Sequence, residues 1–169
     1  LNLNPVKNML VADISSDILS YPFKANDYSL IYAGAQKNIG PAGLTVVIVR
    51  KELVQESDKN LPTMLQYETF AKHNSLYNTP PVFAVYIMGK VLTWIKRNGG
   101  LKAMAAHNEA KAKLIYDVID NNPAFFTGHA HKQDRSLMNI TFRLPNEELE
   151  AKFVSEATAA GLSGLKGHR

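Results

Sequence analysis

The 169 residues, 46% hydrophobic and 20% charged, have the composition of a globular chain long enough for one good core or two small ones. With no cysteine, disulfides, thiolate metal sites and cysteine nucleophiles are excluded, which suits the cytoplasm. The formal charge of +4 is scattered along the chain and not gathered into basic runs, so it points to anionic small molecules and not to nucleic acid; no apolar run approaches the roughly 18 residues that span a bilayer.

The chain starts at Leu1, with no charged segment ahead of an apolar one, and reads as a piece of a longer protein. Residues 8–13 form a short apolar run ending in Asp13. Such a run fits a strand buried on both faces of a parallel sheet, although a buried helical piece has the same pattern. Residues 28–32 are a second candidate strand, and residues 44–49, dense in β-branched side chains, give the strongest strand signal. The ten residues between them, 34–43, are too rich in Gly and Pro for regular structure.

Residues 51–56 predict a helical turn, and residues 57–79 are polar and irregular. Thr79, ahead of Pro80 and Pro81, is placed to cap a helix over 82–97. That helix is apolar nearly all round and is therefore expected to be mostly buried, with Asn98-Gly99-Gly100 as its stop. Residues 101–121 are amphipathic at helical spacing. Residues 138–144 alternate as a half-buried strand. Asn146 is placed to cap a last helix carrying Leu149, Phe153 and Ala157 on one face, closed by Gly161. The expected organisation is an α/β segment with a buried sheet over residues 1–97 and a smaller α+β segment over 98–169.

Lys37, in the Gly-rich loop between two strands, sits where α/β proteins often place active sites, although a lone lysine there reads first as a solvated loop residue. A P-loop is excluded, because Lys37 is followed by Asn38-Ile39-Gly40-Pro41 and a strand, where that loop needs Ser or Thr and a helix. Asp13 at the end of an apolar run is either a cap at the strand-to-loop turn or a carboxylate facing a cationic ligand. A pyridoxal phosphate site needs both types of residue, a lysine for the Schiff base and an acid for the ring nitrogen. His73, His107, His129 and His131 show no metal-ligand spacing with neighbouring carboxylates, and His129-Ala130-His131 reads as surface loop.

The run from Val11 through Asp13-Ile14-Ser15-Ser16-Asp17, and then Ala33-Gly34-Ala35-Gln36-Lys37-Asn38-Ile39-Gly40-Pro41-Ala42-Gly43, resembles the phosphoserine aminotransferase family. That family belongs to the fold-type I, class V pyridoxal-phosphate aminotransferases. Tyr77-Asn78-Thr79-Pro80-Pro81, Asn98-Gly99-Gly100 and Leu165-Lys166-Gly167-His168-Arg169 extend the resemblance along the chain, which it places in the C-terminal half of such an enzyme. It implies part of a mixed-sheet cofactor-binding large domain followed by a smaller C-terminal domain. In that family Lys37 would carry pyridoxal 5'-phosphate and shuttle the substrate proton, Asp13 would pair with the ring nitrogen, and Gln36 would lie beside the cofactor. Asn78 and Thr79 would reach across a homodimer interface to the other subunit's cofactor phosphate, and otherwise read as a helix cap. His168 and Arg169 would contact the phosphate or carboxylate of the substrate, and otherwise read as a basic terminus.

The implied reaction moves an amino group between glutamate and 3-phosphohydroxypyruvate in serine biosynthesis, with 4-phosphohydroxythreonine chemistry of cofactor synthesis as a second use. Another class V aminotransferase, acting on unphosphorylated oxo acids, or a piece that is non-catalytic alone are the competing readings. Relative to the family, the chain lacks the aromatic expected to stack on the ring, most of the phosphate loop and further basic residues.

Overall fold

The computed structural model describes residues 9–167, so His168 and Arg169 lie outside the described residues. The chain forms two compact units that divide between His107 and Asn108.

In the first unit, β1 (Val11–Asp13), β2 (Leu30–Gly34) and β3 (Thr45–Val49) make a three-stranded mixed sheet in that order. β1 runs parallel to β2 with Asp13 opposite Tyr32, and β2 runs antiparallel to β3 with Gly34 opposite Thr45. Side chains alternate across β2, so Ile31 and Ala33 are buried while Tyr32 between them is exposed. Ala33 joins Ile18, Ala35 and Ile39 in a core against which Ile14, Leu19, Leu44, Val46 and Met88 pack.

The expected burial of β1 on both faces does not hold. Val11 is 56% exposed, and Val47 and Ile48 of β3 are also exposed. Only β2 has a strand on each side. Among the described residues β1 and β3 are the edges of this sheet, and part of the apolar surface of each stays uncovered.

α1 (Lys51–Glu56) forms where a helical turn was predicted. Residues 57–79 are more regular than predicted, holding a 3-10 turn at Thr63–Leu65 and α2 (Tyr67–Lys72). α2 has one turn and a half, too short to show a period. It is held by Thr69 Oγ1 donating to the Thr63 carbonyl at 2.9 Å, by a Glu68–Lys59 pair at 2.7 Å, and within the helix by Glu68–Lys72 at 3.1 Å.

α3 (Val82–Arg97) has the predicted bounds. Its N-cap position is Pro81 with no side-chain cap bond, so Thr79 does not cap it. Within this unit α3 buries Ala84 and Ile95, while Phe83 (70%) and Trp94 (56%) are exposed, so its all-round apolarity is not matched by burial. Asn98 ends it, donating from backbone N–H to the Trp94 carbonyl, and Gly99 at φ +91° makes the left-handed exit that a β-carbon disfavours. α4 (Gly100–Asn121) follows.

In the second unit, β4 (Thr127–Gly128) and β5 (Phe142–Arg143) pair antiparallel, and α5 is Glu147–Ala159. The predicted strand over 138–144 thus shrinks to two residues, with a partner strand that the sequence does not signal. Phe126, Phe142 and Phe153 meet edge to face, with centroids 5.3 and 5.9 Å apart, and tie this pair to α5. Asn146 caps α5 as predicted, its Oδ1 accepting from Leu149 N–H at 2.9 Å. Gly161 at φ +87° closes it, with Gly161 and Leu162 N–H donating to the Thr158 and Ala157 carbonyls, the double bond of a Schellman turn. Arg135 clasps Asp120 with two bonds of 2.9 and 2.7 Å and lies 4.4 Å over the Tyr116 ring. Among the described residues, no helix is long and apolar enough to cross a membrane.

Candidate active site

β1 and β2 run in the same direction, so their carboxyl ends open side by side, the position where α/β sheets commonly bind ligands. The parallel ladder continues one residue past β1, with Ile14 N–H donating to the Tyr32 carbonyl at 3.0 Å. Asp13 then turns the chain. Its Oδ1 accepts from Ser15 N–H at 2.9 Å and from Ser15 Oγ, the side-chain-to-backbone turn that Asp favours. Ser15 Oγ in turn accepts from the Gly34 N–H at the end of β2, at 2.9 Å.

The lysine loop leaves β2 as a single helical turn over residues 35–39. Ile39 and Gly40 N–H both donate to the Ala35 carbonyl, at 3.1 and 2.9 Å, and Ala35 N–H donates to the Leu44 carbonyl at 2.9 Å, closing the loop on itself. Ala35 and Ile39 are sunk in the core while Gln36 and Lys37 between them are exposed. Asn38 Nδ2 donates to the Ile18 carbonyl at 2.6 Å, which fastens this turn to the serine turn after β1. Beside that contact Leu19 sits at φ +62°, a left-handed conformation that costs a non-glycine residue about 1 kcal/mol.

These two turns face the Lys37 amine toward the acid's turn. Lys37 Nζ donates to Ser16 Oγ at 3.1 Å. The Asp13 carboxyl is held below its ordinary range first by the Ser15 hydroxyl, then by the Ser15 N–H, with smaller help from the Lys37 charge and the Tyr32 hydroxyl. The side chain of Gln36 folds back over Gly34, whose missing β-carbon would lie 2.6 Å from Gln36 Oε1.

The structure thus brings Asp13, Lys37 and, through Gly34, Gln36 together. Asn78 and Thr79 lie elsewhere in this unit. Asn78 Nδ2 bonds the Thr79 carbonyl at 3.2 Å, and Asn78 lines an open, mainly apolar groove of about 850 Å³ with β3 and α2. Ser15, Ser16 and Asn38 carry no role in the sequence reading, although Asp-x-Ser after a strand is a recognisable turn signal. Among the described residues no cluster of His, Asp and Glu could hold a metal ion.

Comparison with known proteins adds to this geometry. The aminotransferase class-V family model matches residues 3–169. The chain belongs to the class V aminotransferases. Among class V relatives it is 59% identical over 160 residues to the phosphoserine aminotransferase of Lysinibacillus sphaericus (strain C3-41), covering 95% of this chain and 44% of that protein. It is 57% identical, with the same coverage, to the one from Niallia circulans. The solved phosphoserine aminotransferase of Bacillus circulans subsp. alkalophilus superposes with TM-score 0.92 at 55% identity, over 97% of this chain and 45% of that one. A phosphoserine aminotransferase structure described for radiation damage to its Schiff base matches with TM-score 0.95 at 54% identity, over 99% of this chain and 47% of the other. The PLP-bound enzyme of Trichomonas vaginalis matches with TM-score 0.89 at 40% identity, over 96% and 47%.

The mixed α/β fold is therefore that of this class of enzyme. The chain spans about 44% of the length of the curated class V relatives it matches. These matches do not bear out its expected placement in the C-terminal half of such an enzyme.

Proposed function

We propose that the full-length protein is a pyridoxal-phosphate-dependent phosphoserine aminotransferase, moving an amino group between glutamate and 3-phosphohydroxypyruvate. The observation that carries this reading is that the Asp13 turn and the Lys37 loop adjoin at the carboxyl ends of β1 and β2, with Lys37 Nζ on Ser16 Oγ and the Asp13 carboxyl held below its ordinary range. The Schiff base named for one relative and the PLP named for another support it.

The donor set fits the cofactor. When bound, pyridoxal phosphate supplies an aldehyde that condenses with amines and a cationic ring that draws electrons from the neighbouring carbon. A carboxylate held below its usual range stays ionised at neutral pH, so Asp13 would accept from a protonated ring nitrogen and keep that charge in place. The Lys37 amine would be the attachment point and, when free, would take the proton from the substrate Cα. Gln36, folded over Gly34, is the polar neighbour at the base of that turn. Asn78 and Thr79 would serve the second site of a homodimer, where amide and hydroxyl donors would hold a phosphate. His168 and Arg169 are assigned to the anionic substrate on the strength of the resemblance alone. The 4-phosphohydroxythreonine step of cofactor synthesis, a cytoplasmic setting, and a division into a cofactor-binding portion over 1–97 and a smaller one over 98–169 belong to the same proposal.

The test is borohydride reduction of the full-length protein followed by mass mapping. The expected result is loss of the visible cofactor band and a single reduced adduct on Lys37. An adduct on another lysine, or none, overturns the assignment. Substrate choice is read separately, with turnover falling steeply when the phosphate is removed from the oxo acid, because cationic groups built for it lose their partner.

A further inference from the structure

We propose that Ser15 is a positioning residue, orienting the Asp13 carboxylate for the ring nitrogen of the cofactor. The inference rests on the reading of Lys37 and Asp13 as a pyridoxal phosphate site and adds a residue to it.

The polarity of the contacts fixes the role. A serine hydroxyl has one proton to give and two lone pairs with which to accept. The backbone N–H of Gly34 can only donate, so it occupies a lone pair of Ser15 Oγ, and the hydroxyl keeps its proton for Asp13 Oδ1. The chain of bonds therefore runs in one direction, from the Gly34 amide through the Ser15 hydroxyl to the carboxylate. A hydroxyl that is already accepting is a stronger donor. The Ser15 backbone N–H adds a second bond to the same oxygen, so both donors converge on Oδ1 and neither engages Oδ2.

An ordinary turn after a strand would stop there. This one is also spliced to the lysine loop, because Gly34 lies 19 residues from Ser15 and only three residues before Lys37. The next residue, Ser16, accepts from Lys37 Nζ. One two-residue turn thus touches the acid on one side and the amine on the other, and a change in Ser15 alters the orientation of the carboxylate relative to the lysine loop. The lowered protonation range of Asp13, led by the Ser15 hydroxyl, agrees with that arrangement.

The experiment compares full-length wild type, Ser15→Ala, Ser15→Thr and Ser15→Cys by cofactor titration of the apo-enzyme and by pH profiles of the visible band and of kcat. Ser15→Ala is expected to weaken cofactor binding about tenfold and to move the acid limb of both profiles up by about one pH unit, the size of one lost bond to a charged acceptor. KM for the oxo acid should stay within about twofold. Ser15→Thr, which keeps the hydroxyl, should restore the wild-type profile, and Ser15→Cys, of similar size with a weak donor, should fall between and covers the case in which alanine disturbs folding. In an Asp13→Asn background, Ser15→Ala should add little, since it acts through that carboxylate. Unchanged binding and pH profile in Ser15→Ala, or full additivity with Asp13→Asn, overturns the inference while leaving the lysine assignment intact. A wild-type protein with no cofactor band at Lys37 overturns both.

Discussion

Asp13 and Lys37 have opposite charges and different duties, so their substitutions should fail in different ways. Lys37→Ala removes the amine and is expected to abolish the borohydride-stable adduct and to lower kcat about 10²- to 10⁴-fold, the usual share of a positioned proton carrier. Asp13→Asn keeps the attachment point. It should retain the adduct and its mass while lowering kcat by about a hundredfold or more, measured with saturating cofactor. Residue type and flanking strands mark both only as candidates in the sequence, and the family resemblance supplies their roles. Ser15 is not, because its meaning comes from the Gly34 amide 19 residues away, which no local pattern reveals. Asn78 and Thr79 show the opposite failure. Their spacing before Pro80-Pro81 looks like a cap, yet the α3 N-cap position is Pro81 and the Thr79 side chain has no part in it.

Helices that announce themselves by local signals are where sequence and structure agree best. The bounds of α3 and the Asn146 cap of α5 depend on residues within a turn of each other. Asn146→Ala removes the acceptor for Leu149 N–H and should cost about 1 kcal/mol in urea unfolding of the full-length protein, with little change in cofactor binding. α2 and β4 were missed for a common reason. Each is too short to show a period and is fixed by partners outside the element, Thr63 and Lys59 for α2 and β5 for β4. The Asp120–Arg135 clasp is a second tertiary device hidden from pattern reading. Arg135 and then Lys132 hold the Asp120 carboxyl well below its ordinary 3.8. Its folded value lies under its unfolded value, so the unfolded chain takes up the proton first. The stabilisation is complete above the unfolded value and is lost as pH falls through the folded one. Thermal stability should therefore begin to fall below about pH 4 in wild type, and Asp120→Asn should flatten that part of the acid slope.

For the chain as a whole, apolar composition misleads about burial. The sequence predicts β1 and α3 to be sheathed, yet Val11, Phe83, Tyr86 and Trp94 are exposed in the described structure, as is Ile48 of β3. Periodicity reports that a face is apolar and not what covers it. Residues 1–169 expressed alone are accordingly expected to bind a hydrophobic dye such as ANS and to elute from size exclusion above monomer mass, whereas the full-length protein should bind much less dye. The exposed amine of Lys37 contrasts with these surfaces, because the turn that carries it is nailed down at Ala35 and Ile39, the latter 1% exposed. The ordering entropy of that turn is settled once, when the core condenses, and does not recur with each molecule of ligand. Heating should thus release the lysine chemistry and the core in one cooperative step, and a reactive loop that melts early would require Ile39 to leave first.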